Sequence, residues 1–107
     1  MEKVIVLPFV EAKLRGMVKT LHNIKYFGTL ISAENYVEKL KNYIKTIPQE
    51  NRRLTRNPKY GHFYCTYKPN NRTSYFITFD TEGDLFLIKN IFNNHTSYYP
   101  KYIRGVK

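Results

Sequence analysis

The chain has 107 residues, 42% of them hydrophobic, and a formal net charge of +10 from 18 Lys and Arg against 8 Asp and Glu. That size and apolar content predict one folded domain over 1–107 rather than a disordered segment. A single cysteine excludes a disulfide framework or a multi-cysteine metal centre and fits a reducing cytoplasm, while a domain this basic attracts polyanions.

In chain order, residues 3–7 (KVIVL) read as a short strand, paired into the later sheet and ended by Pro8. This run is too short to span a bilayer and lacks the small-residue cleavage site of a secretory signal, so a cytoplasmic protein without membrane contact is expected. Pro8 suits the first position of a helix, and Val10, Leu14, Met17, Val18 and Leu21 recur behind it at helical spacing, with Glu11 in the first turn and Asn23 at the end. Ser32 reads as the N-cap of a second helix, in which Ala33, Tyr36, Val37, Leu40, Tyr43, Ile44 and Ile47 form one apolar stripe ended by Pro48. Residues 49–59 (QENRRLTRNPK) read as a mobile, basic connection.

The stretch from Tyr60 to Tyr99 is rich in aromatic and β-branched residues and is broken by PNN and TEGD, the pattern of three strands joined by tight hairpins. A three-residue loop at Pro69–Asn71 would set Lys68 opposite Arg72 and Tyr64 opposite Phe76. A two-residue turn at Glu82–Gly83 would set Ile77 opposite Ile88. One face then carries Phe63, Cys65, Tyr67, Tyr75, Ile77, Phe79, Phe86 and Ile88 and needs a core, with Cys65 an inert apolar side chain within it. The other carries His62, Tyr64, Lys68, Arg72, Phe76, Lys89 and, if the last strand runs on, His95. The expected class is α+β: an N-terminal strand and two helices packed on a C-terminal three-strand antiparallel meander.

Charge is segregated along the chain. Between Asn51 and Phe79 there is no acidic residue, while Arg52, Arg53, Arg56, Lys59, Lys68 and Arg72 all fall there. The segregation predicts one positive surface built from the connection, the second sheet face and the C-terminal tail.

Strand, helix, helix and three strands in a short basic chain resembles the RelE/ParE superfamily of type II toxin–antitoxin toxins. The matching pieces are the amphipathic helix ending in TIP, the basic connection, the hairpin carrying Lys68 and Arg72, and a last strand running into NNHTSYY. An arginine common near the end of that strand in several members is not matched; Asn93, Asn94 and His95 stand there. The resemblance implies a metal-independent mRNA endoribonuclease, on or off the ribosome, with a cognate antitoxin protein as partner and no small-molecule cofactor. The ParE-like branch implies instead a non-enzymatic gyrase inhibitor or a basic nucleic-acid-binding module.

Cleaving RNA without a metal needs a base for the ribose 2′-hydroxyl, cations for the charge that develops on phosphorus, and an acid for the leaving 5′-oxygen. His95 is the first candidate for proton transfer and His62 the second, because an imidazole gives or takes a proton near neutrality. Lys68 and Arg72 would hold the scissile phosphate. Tyr99 completes the catalytic set, as a hydroxyl donor or stacking ring, and Tyr98 shares that description. Tyr64 and Phe76 offer further stacking surface, and Arg52, Arg53, Arg56, Lys59 and Lys89 would line the path of the RNA.

Overall fold

In the computed structural model, residues 2–23 and 29–96 are described; Tyr98, Tyr99 and the rest of the C-terminal tail lie outside them. The described elements are β1 (Lys3–Val6), α1 (Pro8–Asn23), α2 (Leu30–Lys45), β2 (Arg53–Leu54), β3 (Phe63–Tyr67), β4 (Tyr75–Glu82) and β5 (Leu85–Asn93). The five strands form one sheet in the order β1-β5-β4-β3-β2, parallel between β1 and β5 and antiparallel elsewhere. The chain is α+β, as expected, with one strand more than the sequence pattern predicts.

Both helices contribute to a single core on one face of the sheet. Val10 and Leu14 of α1 and Val37, Leu40 and Ile44 of α2 cluster with Cys65, Tyr75, Ile77, Phe79, Phe86, Ile88 and Ile91. These are the spacings read from the sequence, i and i+4 on the helices and alternation on the strands. Pro8 opens α1 as expected, but α2 begins before Ser32. Thr29 is its N-cap, its hydroxyl accepting from Ser32 N at 3.1 Å, so Ser32 lies inside the first turn. Among the described residues no helix is long and apolar enough to cross a membrane.

The basic connection is structured. Ile47–Gln49 and Pro58–Tyr60 each form a single 3₁₀ turn, and between them Arg53 and Leu54 pair with Tyr64 and Phe63 at the edge of the sheet. Thr55 closes the following loop by donating its amide to His62 O and its hydroxyl to Gly61 O. A short edge strand and these bonds replace the mobile segment that composition suggested.

Next to their turns both hairpins are offset by two residues from the expected register, and further along the second one Ile77 pairs with Ile91, three residues beyond the expected Ile88. Cys65 pairs with Ile77 and Tyr64 with Thr78, because the β3–β4 connection is seven residues long rather than three. The amides of Arg72 and Thr73 donate to Asn70 Oδ1 and that of Ser74 to Asn94 Oδ1, so they are satisfied by side chains instead of by the ladder. At the other hairpin Glu82 pairs with Leu85, and Gly83 takes the left-handed turn position at φ 59°. An offset of two preserves which residues share a face, so the core assignment survives the wrong pairing. Within β5 the register also shifts by one between its pairings with Thr78 and Phe79, leaving Lys89 as the extra residue of a bulge.

Candidate functional site

The second face of the sheet is closed at its centre. Tyr64, Phe76 and Phe92 form a strip of rings with neighbouring centroids 5.8 and 6.0 Å apart, and all three are buried, as are Thr78 and Asn90 beside them. Tyr64 and Phe76 were expected to offer stacking surface to RNA; their rings are instead buried and packed with Phe92 along the strip. Asn90 follows the bulge, with its Oδ1 accepting from Lys13 Nζ at 3.0 Å and from Ile91 N at 2.8 Å. Burial pushes the Lys13 ammonium below its ordinary value. The exposed candidates lie at the two ends of the sheet.

At one end, the loop after β3 meets the turn after β5. Asn70, Asn71, Arg72, Thr73 and His95 line one open depression. Asparagines build its frame. Asn94 accepts from Ser74 N at 3.0 Å and donates to Arg72 O at 3.2 Å, while Asn93 Oδ1 takes the His95 amide at 2.8 Å. The His95 ring places Nε2 3.3 Å from Thr73 Oγ1. Arg72 and His95, both exposed, thereby line the same depression, two of the three residues that the sequence reading assigned to one phosphate. Strand β5 does not run on to His95; it stops at Asn93, whose carbonyl accepts from the Thr96 amide and hydroxyl.

Lys68 does not join them. It borders a different depression, on the α2 side, with Ser32, Asn35, Tyr36, Lys39, Tyr67 and Pro69. The longer loop is the reason: Lys68 follows directly on β3, and the chain makes its turn beyond it.

At the opposite end, His62 stands beside Asp80. Its backbone amide and its ring Nδ1 both lie 2.7 Å from Asp80 Oδ1, and Lys89 Nζ lies 2.7 Å from Asp80 Oδ2. Burial pushes the Asp80 carboxyl up, and the bonds from Lys89 and from the amide and ring of His62 outweigh it, holding the carboxyl down at about 2. Gly61 makes the approach possible. It has φ 133°, and a Cβ built there would meet the Phe79 backbone nitrogen at 2.7 Å, a contact only glycine avoids. At about 3.3 Å per residue, the five steps from Asp80 to Tyr75 alone separate the two imidazoles by roughly 16 Å along the strand.

The remaining cations are spread out. Arg52 lies over the Phe63 ring at 4.8 Å and near Phe86 at 6.0 Å, committed to the edge of the core. Arg53 is exposed on β2, and Arg56 and Lys59 are exposed on the loop before β3. Lys89 is engaged by Asp80. Cys65 is buried, and desolvation pushes its thiol up to about 11, leaving no nucleophile there at neutral pH. Tyr98 and Tyr99 fall outside the described residues.

Asp80, Asn93, Asn94 and Thr73 are site residues that the sequence reading passed over. Asp80 had a signal: a carboxylate ending the apolar run YFITF faces His62 once the hairpin is given its true register. No family model, curated protein or solved structure matches the chain.

Proposed function

We propose that this protein is a type II toxin of RelE/ParE-like architecture and a metal-independent endoribonuclease, cutting mRNA by attack of a ribose 2′-hydroxyl on the adjacent phosphate. The observation that carries the proposal is the pair of exposed histidine sites on the sheet: His62, with ring Nδ1 2.7 Å from Asp80 Oδ1, and the depression that His95 lines together with Arg72, whose guanidinium can hold two phosphate oxygens, on a frame of asparagine bonds. Further support comes from the order strand, helix, helix, antiparallel meander, with both helices on one sheet face, and from the acid-free stretch between Asn51 and Phe79. The partners this reading requires are mRNA and an antitoxin with an acidic or amphipathic segment.

A second reading, a non-enzymatic nucleic-acid binder or ParE-like gyrase inhibitor, draws on a specific observation. The two described imidazoles that could share acid and base duties lie at opposite ends of the sheet. Purified protein incubated with mRNA, with and without ribosomes, distinguishes the two. Discrete cuts leaving 2′,3′-cyclic or 3′-phosphate ends, reduced in Arg72→Ala, are expected. Intact RNA alongside inhibited supercoiling by gyrase would overturn the nuclease in favour of the second reading.

A further inference from the structure

The nuclease reading leaves open which imidazole moves the proton, and the two sites differ in how firmly they set one. A base must present a bare nitrogen in a fixed direction, and a histidine does so when its other nitrogen donates to a carboxylate. Among the described residues, the His95 ring has the Thr73 hydroxyl as its partner, at 3.3 Å. A hydroxyl both donates and accepts, so it selects neither tautomer. The His62 ring meets a carboxylate at 2.7 Å through Nδ1, which assigns the hydrogen to Nδ1 and leaves Nε2 bare.

The carboxylate is itself held in place. Asp80 Oδ1 takes the His62 amide and ring, and Oδ2 takes Lys89. The Lys89 charge also offsets that of Asp80, so the pair presents no net negative charge to a phosphate. The His62 side chain is 65% exposed, and Gly61 fixes the backbone that carries it. The β5 bulge at Lys89 supplies the third member.

Resting on the nuclease reading, we infer that His62, oriented by Asp80 as a positioning residue, is the catalytic base, and that the Arg72–His95 depression grips the RNA strand away from the cut. His62 Nε2 takes the proton of the 2′-hydroxyl as the 2′-oxygen bonds to phosphorus. The bond from phosphorus to the 5′-oxygen then breaks. That oxygen takes a proton from water, and the imidazolium returns its own to the resulting hydroxide. The products are a 2′,3′-cyclic phosphate and a 5′-hydroxyl.

Two measurements test this. Long-range ¹H–¹⁵N correlation spectra of the intact protein read the tautomer directly: His62 is expected in the Nδ1–H form, and to become a mixture in Asp80→Asn. An Nε2–H form in the unaltered protein would overturn the inference whatever the protein does to RNA. Kinetics on a short single-stranded RNA give the roles. His62→Ala is expected to lower kcat by about 100-fold or more, and Asp80→Asn to lower kcat with KM little changed. His95→Ala should act on KM instead. Loss of kcat in His95→Ala with full kcat in His62→Ala would overturn the inference and leave the nuclease standing. Absence of cutting by the unaltered protein would overturn the nuclease, and the assignment of a base with it.

Discussion

Asp80 is a carboxylate inside a strand, and its three donors make it a measurable part of stability. Its folded value of about 2 lies below its ordinary 3.8. Ionised Asp80 therefore stabilises the fold fully above the ordinary value, and the contribution is lost as pH falls through the folded one. The difference corresponds to at most about 2 kcal/mol, reduced by solvent screening at this partly exposed position. Urea denaturation of the unaltered protein and Asp80→Asn should show a gap of that order at neutral pH, closing as the pH is lowered from 3.8 toward 2. A gap that persists in acid would mean that shape rather than charge holds Asp80 in place.

The asparagine clamp works between elements: Asn94, after β5, holds the loop between β3 and β4. Its half-buried side chain makes two bonds to that loop, to Ser74 N and Arg72 O. At about 1 kcal/mol each, Asn94→Ala should destabilise the fold by roughly 2 kcal/mol and speed amide exchange at Thr73 and Ser74. Asn71→Ala, at an exposed position on the same loop, should do neither. The clamp also shows why the sequence yields faces more readily than pairings. Alternation along β3 and β4 comes from the side chains, so Cys65, Ile77 and Phe79 are readable as core from their spacing. Loop length is set by where the amides of Arg72, Thr73 and Ser74 find acceptors, and Asn94 lies twenty residues beyond the nearest of them. A separation of 18 residues likewise hid the pairing of His62 with Asp80. Tyr64 and Phe76 were misread for a related reason: alternation puts them on the face away from the helices, and their burial with Phe92 depends on the packing of that whole face.

For the molecule as a whole, the proposed nuclease reading and a charge of +10 together predict salt-sensitive attachment to RNA, since bound cations release counterions from the strand. The structure separates the cations that count. Arg72 is exposed on the rim of its depression, whereas Lys89 is 2.7 Å from Asp80 and Arg52 lies over Phe63. A cation already neutralised by a carboxylate releases few additional counterions when RNA arrives. For single strands the slope of log affinity against log salt is about −0.7 per neutralised phosphate, so Arg72→Ala should make the slope shallower by about that amount and weaken binding at low salt. Lys89→Ala should leave the slope nearly unchanged, even where it disturbs the orientation of His62 and slows cutting. Fluorescence anisotropy with a labelled single-stranded RNA across a salt series measures both. Equal slope changes in the two variants would mean that the Asp80–Lys89 pair opens on binding, and that the far end of the sheet grips phosphate directly.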